Sequence, residues 1–267
     1  MAVFDLAHGV ELAEAMTALA AEAAQAILGR DRTEALRMKA DGSPVTAADE
    51  AADELIGEGL ARLKLGVPVI SEERVGREPS RIEGADFIFV DPLDGTREFI
   101  AGRGEYTVNI GLVHAGAPIL GVIAAPAFGL IWRGVVGRGA ERLEFSAGGI
   151  SPPQRIRTRT HKPDELVVMV SRSHLDARTQ AYLERLPHSG RTACGSSIKF
   201  CRLAEGSADH YPRLAPTRDW DVAAGHAILA AAGGCVSDPD GAPLAYGTAA
   251  LRIPAFLAWG GAPPSGK

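Results

Sequence analysis

Apolar positions recur along this chain with two periods, and the period predicts the element. From about Val10 to Leu28, Leu12, Met16, Leu19, Ala23 and Ile27 follow at three- and four-residue steps. That spacing predicts an amphipathic helix ending at Gly29. A turn at Asp41-Gly42-Ser43-Pro44 leads to a second helix opening over Val45–Asp49, with Ala52, Leu55, Ile56, Leu60 and Leu63 on one face. Thr46, with Asp49 and Glu50 close behind, has the chemistry of a helix N-terminus. A short apolar run from Val67 ends on Glu72 and Glu73. The polar, Gly- and Pro-broken segment from Arg74 to Asp86 reads as a surface loop, either a lid or a plain connection.

Phe87–Val90 reads as a buried strand that stops at Asp91, because Pro92 removes a ladder donor. Thr107–Val113, Ile119–Ala125 and Leu130–Val136 are β-rich and joined too closely for crossover helices, so antiparallel pairing follows. Ser146 to Pro163 shifts to Gly, Pro, Ser, Arg and Thr, which suggests a hinge between residues 1–150 and 151–267. Beyond it, strands at Leu166–Val170, Asp209–Tyr211, Cys235–Ser237 and Phe256–Ala258 mix with helices at Asp176–Arg185, Ser196–Ala204 and Val222–Ala232. Tyr246–Leu251 fits neither period. The predicted class is α/β in the broad α+β sense, with an antiparallel N-terminal sheet and a smaller C-terminal α/β layer.

Composition narrows the function classes. The chain has 267 residues, 46% hydrophobic and 23% charged, an ordinary globular make-up with ample core. A formal net charge of −5 with no basic stripe argues against a nucleic-acid polymer as partner, and against anionic membranes. A phosphate substrate would then need a local positive centre, such as a bound metal. Cys194, Cys201 and Cys235 form no Cys-x-x-Cys pair and fit free thiols in a reducing compartment. Glu11, Glu14 and Glu22 interrupt the N-terminal apolar run, so neither a signal peptide nor a transmembrane segment is expected. A cytoplasmic place is expected. Peripheral contact with an inner membrane, and monomer against homodimer, stay open.

The chemistry concentrates at Asp91-Pro92-Leu93-Asp94-Gly95-Thr96. Two carboxylates three residues apart on a Pro-stiffened turn would converge, and without a counter-charge one pKa would rise. A hard divalent cation resolves the conflict, since Mg²⁺ takes carboxylate and carbonyl oxygens and leaves positions for water and phosphate. Thr96 adds a hydroxyl at the same rim. The same residues also suit a strand–turn–helix junction capped by Asp94. Trp220-Asp221 precedes the apolar helix Val222–Leu229, placing Asp221 at its positive end, as cap, metal ligand or both.

Three blocks in this order, Val69–Glu73, Asp91–Thr96 and Trp220–Gly225, resemble the signature set of the inositol monophosphatase superfamily of Mg²⁺-dependent, Li⁺-sensitive phosphatases. Thr96–Ile100, Glu105–Ile110, Ser171–His174, Gly195–Cys201 and Tyr211–Arg213 are similar to the bacterial 3′(2′),5′-bisphosphate nucleotidases of the CysQ group. The resemblance implies a layered α-β-α-β-α sandwich of the sugar-phosphatase type, and a place in sulfur metabolism. It implies one Mg²⁺ on Glu72, Asp91 and the Leu93 carbonyl, a second on Asp91, Asp94 and Asp221, and a third, weaker ion near Glu72. It also implies that the N–H groups of Gly95 and Thr96 hold the phosphate, and that Asp49 and Thr96 orient and deprotonate the attacking water. Glu73 ranks behind Glu72.

Inositol phosphatases usually carry a Glu shortly before the Trp-Asp pair. Here Arg213 and Leu214 stand in that region, which suits an extra phosphate better than a polyol. Lys199, near Ser196 at a helix start, and Arg213 are the candidates for a non-scissile phosphate. Ser173 and His174 are candidates for nucleotide contact. A small phosphorylated nucleotide, adenosine 3′,5′-bisphosphate, is the expected substrate. An inositol or sugar phosphatase, and a phosphometabolite sensor without turnover, are the rival readings.

Overall fold

The computed structural model describes residues 6–40, 42–75, 86–160, 165–173, 175–186 and 190–263. In chain order, α1 (Leu6–Leu28), β1 (Arg37–Met38), β2 (Pro44–Val45), α2 (Ala47–Arg62), β3 (Val69–Ser71), β4 (Phe87–Asp94) and α3 (Thr96–Ile100) come first. Then follow β5 (Thr107–His114), β6 (Ala117–Ala125), β7 (Leu130–Val135), β8 (Gly139–Ser146), β9 (Gly149–Ile150) and β10 (Gln154–Ile156). The rest is β11 (Val167–Ser171), α4 (Ala177–Glu184), β12 (Gly190–Cys194), α5 (Ile198–Ala204), β13 (His210–Arg213), β14 (Thr217–Arg218), α6 (Asp219–Ala231), β15 (Cys235–Ser237), β16 (Arg252–Ile253) and β17 (Phe256–Trp259).

The first sheet runs β10-β8-β7-β6-β5-β4-β3, with β9 on β8, and is antiparallel except where β3 lies parallel to β4. Alternation along β4 divides its residues between two cores. Ile88 and Val90 face α1 and α2, among Leu12, Met16, Ile27 and Ile56. Phe87 and Phe89 face α5 and α6, among Phe200, Trp220, Ile228 and Leu229. A central strand covered on both faces reads as a continuous apolar run, which is why Phe87–Val90 shows no polar positions. Helix α6 lies close on the sheet because a Cβ at Gly121 would stand 2.1 Å from the Ala224 carbonyl oxygen. The second sheet, β12-β11-β13-β17-β15, lies beyond α5 and α6. Leu183 of α4 covers its far side with Val168, Val170 and Trp259. The layers therefore run α-β-α-β-α.

The structure corrects three element boundaries and places a strand in the expected hinge segment. Strand β4 does not stop at Asp91: Asp91 pairs with Asn109 and Asp94 with Thr107, so three steps on one strand match two on the other. Pro92 falls inside that bulge, where a missing N–H leaves no ladder acceptor stranded. The expected hinge contributes β10, which pairs with β8 at the edge of the first sheet. Helix α5 starts at Ile198 rather than Ser196. Helix α6 starts at Asp219 with Arg218 as its N-cap, so Asp221 lies in the first turn and is not the cap.

Candidate active site

A cleft of about 620 Å³ opens where β4 ends, and its lining includes Glu72, Asp91, Asp94, Thr96, Lys199, Arg213 and Asp221. Three elements supply its acids. Glu72 follows β3 and is held by its N–H on the Val90 carbonyl at 3.1 Å. Asp91 lies within β4, almost fully buried, and its Oδ1 accepts the Leu93 N–H at 3.1 Å. Asp221 is brought in by α6, where its Oδ2 accepts from the Thr217 hydroxyl and, at 3.2 Å, from the Arg218 N–H. Oxygens of Glu72, Asp91 and Asp221 come within 4.8 Å of one another. Asp94 stands outside that triad. The Leu93 carbonyl oxygen, a further expected ligand, lies 3.1 Å from the Thr96 hydroxyl oxygen.

The acids disturb one another. Burial, and then the charges of Glu72, Asp94 and Asp221, push the Asp91 carboxyl well up. Burial and the Asp221 charge push Asp94 up to about 7, against the pull of Lys199 and Arg213. Burial likewise raises Glu72 and Glu73. Crowded carboxylate oxygens that resist ionisation together make a hard-cation donor set, and Mg²⁺ fits it.

Raised carboxyls have a stability consequence. Between the unfolded value of 3.8 and the folded value of about 7 for Asp94, the folded chain holds protons that the unfolded chain has released. Stability from this source is present at low pH and is lost as pH rises through the folded value. Mg²⁺ replaces those protons, so its stabilisation should grow with pH. Saturating Mg²⁺, at about 100 times its dissociation constant, is expected to raise Tm by roughly 5–10 °C near pH 8 and by much less near pH 5. Thermal melts at both pH values test this, and an equal rise at both contradicts it.

Two further groups complete the chemistry. Asp49 sits at the third position of α2 in a capping box with Thr46. Its Oδ2 accepts the Thr46 N–H at 2.7 Å and hydroxyl at 2.6 Å, and its Oδ1 accepts the Thr96 hydroxyl at 2.9 Å. Burial raises the Asp49 pKa, opposed by the bonds from Thr46 and Thr96. Gly95 between Asp94 and Thr96 has φ 91°, and a Cβ there would lie 3.0 Å from the Glu105 carbonyl oxygen, so only glycine suits this turn.

Lys199, also in the lining, is buried, with its ammonium 3.2 Å from the Cys194 carbonyl, donating also to Ser196 O, and 5.0 Å from the Tyr211 ring centre. It is not a solvated cation. The buried Nε of Arg213 has no hydrogen-bond partner among the described residues, as suits a group awaiting an anion. Ser173 and Ser196 line the cleft, and the Ser173 hydroxyl donates to Glu98. His174 and residues 76–85 of the expected surface loop lie outside the described residues.

No sequence motif points to Lys39, which the fold brings to the acids. Its ammonium bridges Glu72 and Glu73, 2.7 Å from each, and burial of the charge is outweighed by those carboxylates, which hold its pKa above the ordinary value. A third ion near Glu72 would compete with this ammonium. Lys39 lies in a polar stretch between a two-residue strand and a turn, where no period marks it.

The inositol monophosphatase family profile matches residues 6–260. The 3′(2′),5′-bisphosphate nucleotidase CysQ of Escherichia coli strain K12 is 47% identical over 208 residues, covering 78% of this chain and 81% of that protein. The crystal structure of CysQ from Bacteroides thetaiotaomicron, a bacterial member of the same family, superposes with a TM-score of 0.79 and 36% identity, over 93% of this chain and 97% of that one. The inositol monophosphatase of Anabaena (Nostoc) sp. PCC 7120, at 24% identity and a TM-score of 0.72, shares the fold over 96% of this chain and 92% of its own. The chain belongs to the inositol monophosphatase family.

Proposed function

We propose that this chain is a Mg²⁺-dependent phosphatase that hydrolyses the 3′-phosphate of adenosine 3′,5′-bisphosphate, giving AMP and inorganic phosphate. The observation that carries the substrate reading is the pairing of one acidic centre with two cations, Lys199 and Arg213, across a single cleft. One phosphate of the substrate meets the acidic centre and the other meets the cations. The nucleotidase name of the relative at 47% identity, and the CysQ name that it shares with the structure at 36% identity, support the same reading.

Glu72, Asp91 and Asp221 would hold Mg²⁺, with Asp94 and the Leu93 carbonyl as further oxygen donors. Mg²⁺ bound there would supply charge neutralisation for the phosphoryl group and make a bound water easier to deprotonate. Asp49 and Thr96 manage that proton. Both Thr46 donors occupy Asp49 Oδ2, which leaves Oδ1 for Thr96. Thr96 Oγ can then accept a proton from the attacking water while passing its own to Asp49. Burial makes Asp49 a stronger base than an exposed aspartate, as this step requires. The N–H groups of Gly95 and Thr96 orient the reacting phosphate, and Ser173 and Ser196, which line the cleft, would contact the nucleotide, as would His174 on family likeness. Residues 1–150 thus bring Glu72, Asp91 and the Asp49–Thr96 pair, and 151–267 bring Asp221 and the two cations. Two ions with a third held more weakly, inhibition by Li⁺, and a role in sulfur metabolism belong to this proposal on family likeness. So does a cytoplasmic place, which three cysteines free of disulfides support.

Arg213→Ala tests the two-phosphate reading. Loss of a charge-assisted contact to the retained phosphate costs about 1.5–3 kcal/mol, or roughly ten- to a hundredfold in kcat/KM. The loss should be far smaller for 3′-AMP, which lacks that phosphate. Equal losses on both substrates would make Arg213 structural.

A further inference from the structure

The strand paired with the metal-ligand strand also holds the segment that carries Lys199. Glu105, just before β5, and Thr107 and Asn109 within it stand two residues apart, so their side chains leave on one face. Each reaches the segment between β12 and α5. Glu105 accepts the Gly195 N–H at 2.8 Å and takes the Arg172 guanidinium on both oxygens, each at 2.7 Å. Arg172 also donates to the Ala193 carbonyl at 2.8 Å. Ser197 Oγ lies 2.8 Å from Thr107 Oγ1 and 2.6 Å from Asn109 Oδ1. An amide oxygen only accepts, so the Ser197 proton goes to Asn109 and Thr107 is the donor to Ser197.

This segment does not adopt its shape on its own preference. Ser196 has φ 46°, an unfavourable conformation for a residue with a Cβ, which persists only where the surroundings enforce it. A Cβ at Gly195 would stand 2.7 Å from the Glu105 carbonyl oxygen, so glycine permits the close approach. The carbonyls of Cys194 and Ser196 in turn receive the Lys199 ammonium. In the β4–β5 register Asp91 faces Asn109 and Asp94 faces Thr107. One pair of strands therefore carries Asp91 and Asp94 on one member and grips the lysine's seat with the other.

We infer that Glu105, Thr107 and Asn109 are positioning residues that set the distance between the acidic centre and Lys199, and through it the selectivity for a substrate with two phosphates. The inference rests on the nucleotidase proposal above. None of the three need touch the reacting atoms. Loosening them should weaken binding of the retained phosphate and leave chemistry at the other one intact.

Glu105→Gln keeps an acceptor for Gly195 and loses the ion pair with Arg172. Thr107→Val keeps the shape and loses one hydroxyl. For each variant, kcat and KM are measured with adenosine 3′,5′-bisphosphate and with 3′-AMP, alongside inhibition by AMP and by inorganic phosphate, which do not react. Glu105→Gln is expected to raise KM for the bisphosphate and the AMP inhibition constant about tenfold. Its kcat, and the inhibition constant of phosphate, should stay within about twofold of the parent. Thr107→Val should shift the same two constants in the same direction. Equal losses of kcat on both nucleotides would overturn the inference, because the ladder would then support the acidic centre itself. Unchanged constants in both variants would overturn it too, since Lys199 would be seated without the ladder. A parent enzyme that does not distinguish the bisphosphate from 3′-AMP defeats the functional proposal instead. A parent that does, with Glu105→Gln preserving the ratio, defeats the ladder alone.

Discussion

Replacing Asp91 by Asn is expected to lower kcat/KM for adenosine 3′,5′-bisphosphate by on the order of 10³-fold or more, with the fold intact. Asp91 is the most buried of the acidic triad, on β4 between β5 and β3. Asparagine keeps the oxygen that accepts the Leu93 N–H, so the bulge should survive. It removes a carboxyl whose ionisation is resisted by burial and by the charges of Glu72, Asp94 and Asp221. The Mg²⁺-free variant should therefore melt no lower than the Mg²⁺-free parent near pH 8, and its Mg²⁺-induced rise in Tm should shrink. Activity within about tenfold of the parent would mean that the triad is not the centre of the chemistry.

The next largest effects are expected at Asp49 and Thr96. Thr96→Ala and Asp49→Asn should each lower kcat by roughly 10²–10⁴-fold, the usual worth of a positioned acid–base group, with KM little changed. They differ in a way that can be checked. Asp49→Asn also places an amide among the two Thr46 donors, and weakening that cap costs about 1 kcal/mol of stability. Thr96→Ala leaves the cap alone. If the two act as one relay, the double variant should be hardly slower than the worse single one. Losses that multiply would separate them into independent roles.

How much of this was legible depends on where the information lies. Helices α1 and α2 and strands β4 to β7 were readable because each buries a face, and burial writes a period into the sequence. Strands β10 and β12 were missed for the opposite reason. They lie at sheet edges, mostly exposed, and carry no alternation to see. The start of α6 was misplaced because Arg218 and Asp219 are polar, while the helix signal came from the apolar run behind them. Asp91, Asp94, Thr96 and Asp221 stood out through local motifs. Lys39 meets Glu72 across 33 residues, and Thr107 meets Ser197 across 90, distances at which no local pattern can announce a partner.

The most direct measurement of the central claim is phosphate release from purified protein in Mg²⁺, comparing adenosine 3′,5′-bisphosphate with inositol 1-phosphate at equal concentration. Arg213 and Lys199 line the same cleft as the acidic centre, so the account predicts a clear preference for the bisphosphate, abolished by EDTA and restored by Mg²⁺. A preference for inositol 1-phosphate, or turnover undiminished in EDTA, would contradict it.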